Sequence, residues 1–175
     1  MKKLIVKAMV TALLSTTATA AMAGEKVAIG VPSWTGAQAV ANLIATVVTE
    51  KIGGEVEMVP GTNATIFQGM DQGKGDIDVH PDVWLPNQES FTNKYVSGAG
   101  TVSLSDNHYI GNQGFCVPRK FAEENKITDI ADLGRPEVAA KMDSDGNGKG
   151  EFWIGAPGWA SANVNEVKVR DYGLL

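Results

Sequence analysis

Residues 26–60, "KVAIGVPSWTGAQAVANLIATVVTEKIGGEVEMVP", decide the fold. The run "KVAIGVPSW" (26–34) is β-rich and meets a turn at Pro32-Ser33. The period then changes: Ala37, Val40, Ala41, Ile44, Val47, Val48 and Ile52 recur at the three-and-four spacing of an amphipathic helix, which Gly53-Gly54 ends. "EVEMVP" (55–60) is a second strand. Strand, helix and strand in this order predict a βαβ unit, hence a parallel sheet with helices on its faces.

Working outward, "TNATIFQGMDQG" (62–73) reads as a shorter helix with Thr62 or Asn63 as N-cap and Ile66, Phe67 and Met70 on one face. "GDIDVHPDVW" (75–84) is expected to be a third strand, with Asp76 and Asp78 on one face and Ile77 and Val79 on the other. Ligands of such sheets sit beyond the carboxyl ends of the strands, where Trp34 and Trp84 fall. After residue 90 the chain turns rich in Gly, Ser and Asn, which marks a connection. "GFCVPRKF" (114–121) is expected to be a new strand entering a helix begun by Pro118, followed by short helical pieces at "TDIADL" and "PEVAAKM". These signals divide the chain into a first α/β lobe, 24–108, and an incomplete second lobe, 109–175, that ends in mid-fold.

The opening residues read as a leader: Lys2, Lys3 and Lys7 precede the apolar "AMVTALLS", and Ala21-Met22-Ala23 is a small-x-small cleavage site. The expected segment 1–23 is removed after Ala23, and with it the three lysines, taking the formal charge from −5 to −8. The apolar stretch is too short for a membrane span of about 20 residues. A net acidic surface argues against nucleic acid and anionic membranes as partners. The one cysteine, Cys116 in "GFCVP", excludes an internal disulfide and is expected to be a buried, inert thiol.

The order "VWLPNQ" (83–88), "GFCVPRKFAEENKITDIADL" (114–133), an Asp/Gly/Asn loop and "GAPGWAS" (155–161) resembles the glycine betaine/proline-type substrate-binding proteins of osmoprotectant ABC importers, with their relatives for choline or trimethylamine N-oxide. The resemblance runs from about residue 26 to the end. It implies a type II periplasmic-binding-protein-like fold, two α/β lobes closing on a quaternary or tertiary amine. It also implies an exported, periplasmic, monomeric and non-enzymatic protein that delivers its ligand to a membrane permease. By resemblance Trp84 and Trp159 are walls of a tryptophan cage, one from each lobe. Family members add a further aromatic from a "W-x-P" stretch late in the second lobe, before which this chain ends; the 175 residues are therefore expected to bind weakly or not at all.

The residues carry the same chemistry unaided. A trimethylammonium group offers no hydrogen bond, so selecting it means replacing its water with ring faces that attract a cation for about 0.5–2 kcal/mol each. Four tryptophans, Trp34, Trp84, Trp153 and Trp159, lie near Pro or Gly turns and suit such a cage; Trp153, alternating with Phe152 in a strand-like run, fits cage and core alike. A ligand carboxylate or oxide needs donors, for which the amides of Ala160 and Ser161, and Asn63 and Thr65 at a helix start, are placed. Asp82 or Glu151 could balance a net cation, but both are read first as solvated surface carboxylates, and His80 and His108 as packed or hydrogen-bonded residues.

"DSDGNGKGE" (143–151) sets Asp143, Asp145 and Asn147 at loop positions 1, 3 and 5, the Lys149 carbonyl at 7 and Glu151 at 9 of a calcium loop, with Ile154 where position 12 has its Glu. It is expected to hold a structural Ca²⁺; no other cofactor is required. The chain has no GxSxG, HExxH or phosphate-loop pattern, so no enzyme is expected. The rival reading is an exported calcium-dependent structural or adhesive module with its tryptophans in the core.

Overall fold

The computed structural model describes residues 26–174; the expected leader lies outside them. Strand β1 (Lys26–Val31) pairs in parallel with β2 (Glu55–Pro60), with Ile29 opposite Met58, and helix α1 (Thr35–Val47) connects them. A π-helical turn, Val48–Ile52, extends α1 to Gly53, whose φ of 75° lets the chain reverse without a side-chain clash. The expected βαβ unit is thus present. Its helix buries Ala37, Ala41 and Val48, whereas Val47 and Ile52 from the same predicted face stand in solvent.

Helix α2 (Asn63–Gln72) starts on a reciprocal cap in which the side chains of Thr62 and Thr65 each accept from the other's backbone N–H. It lies so close on β1 that a Cβ at Gly30 would fall 2.6 Å from Ile66. Ile66 and Phe67 are fully buried, and Phe67 stacks on Phe91 and Tyr95 at 5.3 and 5.9 Å. Those two rings come from α3 (Glu89–Thr92) and the π-helical turn that continues it, Asn93–Gly98.

The expected third strand is reduced to one parallel bridge, Ile29 to Val79, because the chain meets β1 only between Ala28 and Gly30 before Pro81 turns it away. Its predicted faces hold: Ile77 is buried, and Asp78 remains outside, accepting from the Ala28 amide. The strands expected at 114–121 and around Phe152-Trp153 are absent among the described residues. Phe115, Val117, Phe152 and Ile154 instead pack around a second apolar core, Leu133, Val138, Val169 and Leu174. That core is built from α4 (Arg119–Asn125), a 3₁₀ turn (Ile130–Gly134), α5 (Pro136–Met142) and α6 (Ala160–Asp171). Cys116 is exposed, not buried: extended backbone turns Phe115 and Val117 toward the core and the thiol between them away. No helix among the described residues is long and apolar enough to cross a membrane.

Candidate functional site

Three of the four tryptophans meet where β1, the segment after Val79 and the start of α6 come together. Trp34 ends the first strand run and is the N-cap residue of α1; Trp159 is the N-cap residue of α6. Their rings meet edge to face at 6.0 Å and 80°. The Trp159 indole N–H donates to the Ser33 hydroxyl at 2.7 Å, linking residues 126 apart in sequence. Trp84 stands across from them, its ring over Gly111, where a Cβ would come within 2.7 Å, and edge-on to Tyr109.

Between these rings lies a cavity of about 210 Å³, lined also by Asn63, Asp82, Asn87, Gln88, Asn112, Gln113, Ala160 and Ser161. At roughly 30 Å³ per liquid water it has room for a small organic molecule. A larger hollow of about 1010 Å³ lies beyond Asp82 and Trp84, under residues 101–111. The tryptophans converge on the smaller one.

Three of the cavity's polar residues, Asn63, Asp82 and Gln88, are buried, whereas Asn112 and Gln113 are exposed. Asp82 is 6% exposed, which corrects the solvated role expected for it. Its carboxylate accepts from the Trp34 indole N–H at 2.6 Å and from the Tyr109 hydroxyl at 3.0 Å, and has no salt-bridge partner among the described residues. Hydrogen bonding to Asp82, then burial, raises the Tyr109 hydroxyl above its ordinary pKa. His80 is packed, as expected: its Nδ1 accepts from the Asp82 amide at 3.2 Å, and its Nε2 lies 3.0 Å from Asn63 Oδ1. Burial lowers its pKa to about 4, against the opposing pull of the Asp82 charge.

Asn63 and Gln88, both 2% exposed, each leave one side-chain atom without a partner, Nδ2 and Oε1 respectively. Buried polar atoms are rarely left so, because each forfeits its water without replacement. Ala160 and Ser161 bring the first turn of the twelve-residue α6 to the cavity, and no side chain caps it. Its free amides form a second donor group.

Of the residues read from the sequence, the fold gathers Trp34, Trp84, Trp159, Ala160, Ser161 and Asn63 around one cavity. Thr65 is absent from it, its hydroxyl committed to the α2 cap. Trp153 is 73% exposed and meets only the outer edge of the group, at 5.3 Å from Trp159. Sequence reasoning missed Gln88, Asn112, Gln113 and Asn87, whose amide bonds to Gln113. Two Asn-Gln pairs, 87–88 and 112–113, were the available signal.

The acidic loop is separate from the cavity. Carboxylate oxygens of Asp143, Asp145 and Glu151 lie within 4.8 Å of one another. Asp143 accepts from the amides of Gly146, Asn147 and Gly148 at 2.7–3.1 Å, which lowers its pKa, and Glu151 is lowered by the Ser144 amide. Asn147 Oδ1 is occupied by the Lys149 amide, and Lys149 adds no side-chain donor or acceptor to the carboxylate group.

Residues 25–175 match the family described as the substrate binding domain of ABC-type glycine betaine transport system. Over 62 residues the chain is 34% identical to the glycine betaine/proline betaine-binding periplasmic protein of Escherichia coli (strain K12) and 40% to that of Salmonella typhimurium, in each case 35% of this chain and 19% of the other. Over 80 residues it is 32% identical to the glycine betaine-binding periplasmic protein OusX of Dickeya dadantii, 46% of this chain and 20% of the relative. The matched stretches thus cover about a fifth of these relatives' length. The family is one of binding domains, not enzymes, and neither it nor the relatives support the rival adhesive reading. The family match spans all of the described residues, so the chain belongs to the substrate-binding domains of ABC-type glycine betaine transport systems.

Proposed function

We propose that this chain captures a methylated amine outside the inner membrane and delivers it to the permease of an ABC importer. The observation that carries the reading is the convergence of Trp34, Trp84 and Trp159 on one cavity beside the buried, uncompensated Asp82. Ring faces and a buried carboxylate both attract a cation, and neither requires it to donate a hydrogen bond. The ligand class is a quaternary or tertiary amine: glycine betaine, choline or trimethylamine N-oxide. A ligand oxygen has donors at Asn63 and at the start of α6. Residues 24–108 and 109–175 act as two lobes of a type II periplasmic-binding fold, working as a monomer after removal of residues 1–23 in the periplasm. The three gathered carboxylates support a structural calcium ion on Asp143, Asp145, Asn147, the Lys149 carbonyl and Glu151.

Calorimetric titration of the full-length chain with betaine, choline and trimethylamine N-oxide tests the cage. Trp84→Ala should lose on the order of 1–3 kcal/mol of affinity, roughly tenfold or more, and Trp84→Phe should retain part of it. Unchanged affinity in Trp84→Ala, accompanied by a large loss of stability, would place that ring in the core instead.

A further inference from the structure

The cavity's buried polar groups have an order of dependence that starts outside its lining. The Asp82 backbone N–H can only donate, so His80 Nδ1, 3.2 Å away, must carry a free lone pair. A neutral imidazole then has its proton on Nε2, which donates to Asn63 Oδ1 at 3.0 Å. An amide whose oxygen is held in this way has its two N–H bonds facing elsewhere. Asn63 Nδ2 is the buried atom left without a partner, and Asn63 lines the cavity. Rings flank the imidazole, Phe67 at 5.4 Å and Trp34 at 6.3 Å, so it sits among rigid neighbours.

We infer that His80 is a positioning residue: it fixes the orientation of the Asn63 amide so that Nδ2–H meets an oxygen of the ligand, and the site thereby selects amines that carry an oxygen acceptor over amines that carry none. This rests on the amine reading above and adds the ligand feature read at its polar end. Burial supports it by keeping the imidazole neutral, since a protonated Nδ1 could not accept from Asp82. Trialkylammonium groups alone satisfy the rings and Asp82 but leave Nδ2 bare, which carries the full cost of an unmade buried bond.

The test compares betaine with tetramethylammonium, which has the same cationic head and no oxygen, by calorimetry on the full-length chain. Asn63→Asp removes the donor, and His80→Ala frees the amide to turn. Each should weaken betaine by about tenfold while tetramethylammonium binds as before or tighter. His80→Gln, which can still donate to Asn63 Oδ1, should recover part of the loss. Equal weakening of both ligands means the pair is only structural and overturns the inference while leaving the amine reading intact; so does betaine binding untouched by Asn63→Asp. A wild-type chain that binds neither ligand overturns both. Independently of any variant's folding, the ¹⁵N spectrum of the wild-type His80 ring at neutral pH should show the proton on Nε2; a proton on Nδ1 refutes the relay.

Discussion

The cavity and the acidic loop are both clusters of polar side chains, yet they treat their hydrogen-bonding groups in opposite ways. In the loop, half-buried Asp143 collects three backbone amides, Asn147 is bonded at both ends of its amide, and Glu151 accepts from Ser144. In the cavity, Asn63 and Gln88 are shut away from water with an atom each unpaired, and Asp82 has no salt-bridge partner among the described residues. The loop meets its own hydrogen bonds as a turn, whereas the cavity lining leaves bonds unmade, which favours the cavity over the loop as the proposed amine site.

The contrast can be broken most severely from behind. Phe67, fully buried, packs against His80 at 5.4 Å, so Phe67→Ala should cost about 3–5 kcal/mol of stability by denaturant melt and disturb the cavity with the core. Acid acts next. The His80 pKa is about 4 in the fold against 6.5 in the unfolded chain, so between these values the unfolded state takes up the proton and the folded state does not. Stability should therefore fall as pH drops from about 6.5 toward 4, by on the order of 3 kcal/mol, with no contribution from this group above that window. A pH series of melts checks it, and His80→Gln should flatten the slope.

The loop gives the next effect. Calcium at a hundred times its dissociation constant should add roughly 2.7 kcal/mol, read as a rise in the melting midpoint over chelator; a midpoint that does not move removes the metal from the loop. The smallest effect should come from Ser33→Ala, which deletes the exposed bond to Trp159 and should cost about 1 kcal/mol or less in a melt.

What was legible in the sequence was whatever a local period encodes. The α1 pattern and its Gly53 stop predicted the βαβ unit because helix and strand impose different repeats on neighbouring residues. Alternation at Asp76–Val79 announced the right faces but not the length of pairing, since only β1's reach decides how many residues of that segment find a partner. "GFCVP" was apolar enough for a strand, but Phe115 and Val117 are covered by helices, and no local signal names the covering element. Asp82 was misread because its partners, Trp34 and Tyr109, are 48 and 27 residues away. The tryptophans that line the cavity were legible because large rings beside turns are few and the motifs around them are specific. The amides of Asn87, Gln88, Asn112 and Gln113 were not, because Asn and Gln are ordinary loop residues until a fold brings them together around one cavity.

The bond from the Trp159 indole to Ser33 gives the molecule a built-in optical gauge. Trp159 heads α6, so its ring moves with the amides of Ala160 and Ser161, while Ser33 moves with the first strand. On the proposed two-lobe reading, parting the lobes strips the indole N–H of its acceptor and exchanges a serine oxygen for water. Opening and shutting should then be visible as a wavelength shift in native emission, without an attached dye, and a Ser33→Ala chain would supply the spectrum of the parted state.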